Sequence, residues 1–321
     1  LLSRRQRQMC IRDSILVPVA NPITAASLAE LALLMRRRKE GPRADRFFAL
    51  HVRNDNSRAS KEMGANSLAL AQGAASGVDV AMEAIERYDL NTVTGILNTI
   101  NERDITAIVM GMHRKANVID TFLGSKVEQL VKGTRQMVVL SRCYIPVNTV
   151  TRIVVFVPQK AEYETGFRQW VEALSSLAHE VGCRLIFCAN SQGRSLIAGV
   201  IGHTGLGIRH EYRPADGIDD FMLLANKVLD DDLLVVIGSR RDSVSYTPEM
   251  TDIALFLQRY FDRNNLLLIY PAQFGESDLN PDDTVTTFAD PLGNGPTPSP
   301  SILRALRARL QRLRHRNHPH R

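Results

Sequence analysis

Short apolar runs alternate with longer stretches of helical spacing along most of the chain, and that alternation predicts the architecture. Ile15–Val19 (ILVPV) reads as a first strand. Asn21-Pro22 follows as a helix cap with proline at the first helical position, and Leu28, Leu31 and Leu34 fall at core spacing behind it. Phe47–Val52 (FFALHV) reads as strand two, Ala59–Ala75 as a helix and Val78–Met82 as strand three. Leu90–Glu102 carries Val93, Ile96 and Ile100 on one helical face; Ile105–Met110 and Met137–Leu140 supply strands four and five, with a helix over Lys126–Lys132 between them.

A second unit repeats that order. Strands are predicted at Ile153–Val157, Arg184–Cys188, Ile208–Tyr212, Leu233–Ile237 and Leu266–Ile269. Helices are predicted around Trp170–Leu174 and over Arg194–Ile201, Asp219–Val228 and Pro248–Phe261. Five strands alternating with four helices, twice over, imply an α/β fold of two tandem doubly wound, mostly parallel five-stranded sheets. The expected domains are 14–148 and 149–271. Six prolines between 271 and 300 mark a linker over 272–300 that cannot bury enough to offset its ordering entropy. Residues 301–321 read as a basic amphipathic helix with Leu303, Leu306, Leu310 and Leu313 along one stripe.

The formal net charge of +6 belongs to the ends. Residues 1–14 carry +3 and residues 301–321 carry +7, which leaves −4 for everything between. An acidic central segment has no general attraction for nucleic acid. Residues 1–13 are set apart from the fold: QMCIRDS reads as the translation of a sequencing adapter, with a natural basic arm as the other reading. For the C-terminal helix three readings stand: a solubilising tail, contact with an anionic membrane surface through Arg304, Arg307, Arg312 and Arg314, and contact with nucleic-acid phosphates. No apolar run approaches the length of a membrane span.

Candidate chemistry is sparse. Cys10, Cys143, Cys183 and Cys188 have no metal-ligand spacing and read as reduced, mostly buried thiols. His51, His179, His203 and His210 lie near element ends without partners at motif spacing; Asp216 with Asp219-Asp220, and the run Asp230–Asp232, read as helix-end or surface charge. No nucleophile and base stand together, so the chain is expected not to be an enzyme.

One stretch stands out, IVMGMHRKANVIDTFLGSKVEQL, in which a strand runs out at Gly111 and Gly124-Ser125 opens a helix. It resembles the universal stress protein fingerprint of glycine, two residues, glycine, nine residues, then Gly-Ser or Gly-Thr. The resemblance extends over both units and implies the universal stress protein, adenine-nucleotide-hydrolase-like fold. In that family the glycines let the backbone approach a nucleotide, and the helix start offers free N–H donors. ATP, AMP or another nucleotide is therefore the implied ligand, with Gly111, His113, Arg114, Gly124 and Ser125 as the candidate contacts.

The departures matter equally. Arg114 replaces the second glycine, and either fills the phosphate's space or binds an anion. Ala20 stands where nucleotide-binding members carry an aspartate. Ser125 and Glu128 also form a capping-box pattern that alone accounts for the serine. In the second unit Arg241 stands in the glycine's place and Thr251-Asp252 where Gly-Ser is expected, so the phosphate end reads as lost.

Stretches such as SILVPVANP, ALHVRNDN and SRCYIPVNTVTRIVV narrow the resemblance to the cytosolic C-terminal region of bacterial monovalent cation:proton antiporters. That implies a regulatory region for sodium or potassium exchange with protons. It would sit at the cytoplasmic face of the inner membrane behind an upstream transmembrane domain, with a homodimer as a further partnership. A free-standing tandem stress protein binding ATP or AMP is the alternative.

Overall fold

The computed structural model describes residues 13–36, 45–112, 125–217, 219–220, 223, 227–251 and 253–273. The first half runs β1 (Ser14–Pro18), α1 (Pro22–Leu34), β2 (Arg46–Arg53), α2 (Arg58–Ser76), β3 (Met82–Tyr88), α3 (Thr92–Glu102), β4 (Ala107–Gly111), α4 (Ser125–Gly133) and β5 (Met137–Arg142). The second runs β6 (Arg152–Phe156), α5 (Phe167–Val181), β7 (Arg184–Ala189), α6 (Ser191–Thr204), β8 (His210–Pro214), β9 (Asp232–Ile237), α7 (Ile253–Tyr260) and β10 (Asn265–Tyr270). Half of the positions in the helix expected over 219–228 lie outside the described residues.

Each half is parallel, in the order β3-β2-β1-β4-β5 and its repeat β8-β7-β6-β9-β10. The two five-stranded parallel sheets join at their edges. β5 and β10 pair antiparallel, Leu140 opposite Leu268 and Val138 opposite Tyr270, so the halves share one ten-stranded sheet. Both strands are mostly apolar, with Val138–Leu140 facing Leu268–Tyr270, and an open apolar edge is a liability that pairing removes. Both cores cross this seam. On one face Leu28 and Leu31 of α1 and Ala71 of α2 join Trp170 and Leu174 of α5 and Ile197 of α6; on the other Ile96 of α3 and Leu130 of α4 join Ile253 and Leu257 of α7.

Asn21 caps α1 as the sequence implies, its Oδ1 accepting from the Thr24 N–H at 3.2 Å. Strand three is where the pattern misleads. Val78–Met82 is apolar enough for a strand but contains Asp79 with φ of 58°, a left-handed turn residue. The strand is the charged MEAIERY instead, at the sheet's edge, with Glu83 held by Arg103 at 3.0 Å and Arg87 by Glu102 at 2.7 Å. Charges along an edge discourage strand addition. β8, the other edge, starts two residues later than expected, after positive-φ Gly205 and Gly207.

Asp232 corrects another expectation. It is fully buried rather than surface charge, accepting from Arg152 Nε at 2.7 Å, from Arg152 Nη2 at 2.5 Å and from the Leu229 N–H at 2.8 Å. His51 is structural: its Nδ1 donates to the Val19 carbonyl at 2.8 Å, and the ring packs on Gly64 of α2.

Candidate functional site

In a doubly wound sheet, the chain leaves neighbouring strands in opposite directions at one point, and a crevice opens beyond the strand ends there. In the first half that point lies between β1 and β4, paired through Ile15–Ala107 and Leu16–Ile108. β1 runs out at Val19 and the exposed Ala20, and β4 at Gly111, whose neighbour Met112 donates its N–H to the Ser141 carbonyl at 2.8 Å. α4 starts at the exposed Ser125 and runs back toward β5. Gly111 and Ser125 are thus delivered to the same end of the sheet. His113, Arg114 and Gly124 lie outside the described residues, as does the capping arrangement at residue 124.

Packing does not require the glycine at 111. A Cβ there would meet Leu28 Cδ1 at 3.5 Å, an ordinary contact, and the backbone is not in the left-handed region. Ala20 itself offers no side-chain acceptor to a nucleoside hydroxyl.

The equivalent crevice of the second half, between β6 and β9, is filled by its own side chains. The Tyr270 ring lies 3.0 Å from where a Cβ of Gly238 would be. Ser245 donates its N–H and Oγ–H to Glu164 Oε1 at 3.0 and 2.7 Å, and its Oγ lies 2.8 Å from Ser239 Oγ, which ties the loops after β6 and β9 together. Glu162, 4% exposed, adds a second carboxylate at this end. A phosphate there would meet the carboxylates of Glu162 and Glu164. Because β5 and β10 are antiparallel, the two crevices also lie at opposite ends of the shared sheet.

Sequence reasoning missed Arg240. It aligned Arg241 with Arg114, yet Arg241 is exposed while Arg240 is 7% exposed. Arg240 donates to the carbonyls of Val131 at 3.3 Å, Gln136 at 2.8 Å and Pro271. Its guanidinium also lies 5.8 Å from the Tyr270 ring centroid. Burial pushes it down to about 10, which leaves it charged at neutral pH, and pushes the Tyr270 hydroxyl up to about 12. No local signal could have found it, since Val131 and Gln136 lie more than a hundred residues upstream.

Among the described residues no three His, Cys, Asp or Glu side chains gather as a metal site. Burial pushes the Cys183 and Cys188 thiols up to about 11. In the folded chain at pH 8 neither thiol will react with a thiol reagent at a rate near that of a free cysteine, and both will react in denaturant. The unfolded thiols ionise near 9, so the stability they hold at neutral pH is lost as pH rises through 9 to 11. Fast labelling of either cysteine in the native chain would contradict this burial.

The universal stress protein family matches residues 12–142. This segment is a universal stress protein domain. No curated protein matches the chain. Solved structures show the same fold at low identity. The cytoplasmic domain of a prokaryotic cation chloride cotransporter aligns with a TM-score of 0.55 and 7% identity, over 83% of this chain and 98% of that domain. A Pseudomonas aeruginosa PAO1 protein of unknown function gives 0.52 and 14%, over 83% and 95%. A universal stress protein from Archaeoglobus fulgidus gives 0.50 and 11%, over 81% and 98%. The stress protein domain ends at β5, and the α/β fold with its mostly parallel sheet continues beyond it through the second half. Among the described residues no helix is long and apolar enough to cross a membrane.

Proposed function

We propose that this chain is the cytosolic regulatory region of a bacterial cation:proton antiporter exchanging sodium or potassium, with no catalysis of its own. The observation that carries this reading is the pairing of two stress-protein-like halves through one sheet, an arrangement that aligns with nearly the whole cytoplasmic domain of a cation chloride cotransporter. The antiporter-like stretches of sequence point the same way. The membrane face, a homodimer and contact of Arg304, Arg307, Arg312 and Arg314 with anionic lipid belong to the same proposal.

The ligand is an anion or nucleotide at the first half's crevice, met by Gly111 and Ser125 together with His113, Arg114 and Gly124. Regulation requires that this ligand favour one state of the region over another, because equal affinity for both shifts nothing. Calorimetry of residues 14–275 with ATP, AMP and cyclic dinucleotides tests the site. One ligand per chain is expected, with affinity falling at least ~10-fold in Ser125→Asp, where a carboxylate would face the anion. No heat from any of them, with the fold intact, would sink the sensor.

A free-standing tandem stress protein that binds ATP or AMP is the second reading, favoured by the family match over residues 12–142. The gene upstream of residue 14 separates the two. Membrane spans there support the transporter, and a start codon just before Ile15 supports the stress protein.

A further inference from the structure

Helix α4 has its two ends in different halves of the molecule's chemistry. Ser125 opens it at the first half's crevice, while its last turn and the turn into β5 are gripped by the second half. Helix C-termini leave carbonyls without partners inside the helix. Arg240 takes one of them, the Val131 carbonyl, and the Gln136 carbonyl just beyond. Around it Asp242 pairs with Arg135 at 2.5 Å, and the Gln273 N–H donates to the Arg135 carbonyl at 2.8 Å. The exposed Arg135–Asp242 pair contributes little by itself. The buried guanidinium is different, because it is nearly dry, holds three carbonyls at once and places a cation at the negative end of the helix dipole.

Arg240 stands two residues after Gly238, in the loop that corresponds to the first half's Gly111-Met112-His113. The second half has therefore turned the loop a nucleotide-binding copy would give to its ligand into a grip on its neighbour.

We propose that α4 couples the first half's crevice to the second half, with Arg240 as the positioning residue that fixes the helix. The ligand end of this coupling rests on the sensor reading above; the mechanical claim about α4 does not. Nine residues of helix span about 13 Å, and a packed helix moves as a unit rather than bending. A change at Ser125 then has to be accommodated at Val131–Gln136, where Arg240 makes it felt by the loop after β9.

Amide hydrogen exchange on the full chain, comparing wild type with Arg240→Lys and Arg240→Met, tests this without any ligand. The reporters are the amides of Gln129 and Leu130, which bond carbonyls of the helix's first turn. Lysine keeps the charge and three donors but carries them on one nitrogen, whereas Arg240 meets the three carbonyls through Nε, Nη1 and Nη2. Exchange at Gln129 and Leu130 is expected to rise at least ~10-fold in Arg240→Lys, while the amides of Ile96 and Ile100 in α3 stay protected. A rise confined to residues 131–136 would overturn the coupling. So would a uniform rise that includes Ile96 and Ile100, since Arg240 would then hold the fold together and nothing more. Calorimetric silence toward nucleotides, by contrast, would remove the sensor reading and leave the exchange result standing.

Discussion

Gly166→Ala will destabilise the chain by about 3 kcal/mol, at the upper end of the usual overpacking range. The glycine precedes α5 with φ of −84°, so alanine meets no backbone strain there. What it meets is another backbone. Its Cβ would lie 2.3 Å from the Ala272 nitrogen, 2.7 Å from the Ala272 oxygen and 3.0 Å from its Cα. Residues 271–273 cannot easily retreat. The Thr165 hydroxyl donates to the Ala272 carbonyl at 3.0 Å, Arg240 holds the Pro271 carbonyl, and the Gln273 N–H is bonded to Arg135. Equilibrium unfolding in urea should show the midpoint falling with an unchanged slope. Gly199→Ala is the control, since nothing lies within 4 Å of a Cβ there and helix propensity favours alanine by up to about 1 kcal/mol. Equal stability of the two variants would refute the close approach at 166.

Asp232→Ala should cost about 3–5 kcal/mol, the range for removing one partner of a buried ion pair. The carboxylate is fully buried at the start of β9, directly across from Arg152 on β6, and the fork of Arg152 donates to both of its oxygens. Its second role is local, as acceptor for the Leu229 N–H in the turn before the strand. Alanine strands a guanidinium and an amide together. Asp232→Asn keeps an acceptor and should lose less. In a double-mutant cycle with Arg152→Met, the double variant should lose clearly less than the sum of the two single losses. A loss below 1 kcal/mol for Asp232→Ala would mean water replaces the carboxylate, and the pair would then be structurally incidental.

These two sites mark where local pattern stops being informative. Asp230-Asp231-Asp232 is a uniform acidic run in the sequence, yet only its last member faces the core. The difference is one of register against Arg152, eighty residues upstream. Gly166 looks like any loop glycine until the end of β10 returns beside it. Strand β3 was misplaced for the opposite reason, because an edge strand needs no apolar face and its charges hid it. The candidate site was half legible. Gly111 and Gly124-Ser125 have recognisable spacing, and the fold brings Gly111 and Ser125 to one end of the sheet. The closure of the second crevice by Tyr270, Ser245 and Glu164 had no counterpart in any local motif.

The sequence by itself determined the repeated βα order, the parallel halves and the cap of α1. Each follows from spacing over a few residues, where side-chain period and turn chemistry act directly on the backbone. Only the tertiary structure decided that the halves share one sheet, that their crevices lie at opposite ends of it, and that Arg240 is buried. Those outcomes depend on β5 meeting β10 antiparallel. That pairing is chosen by the burial of two apolar edges far apart in the chain, and apolarity alone carries no direction.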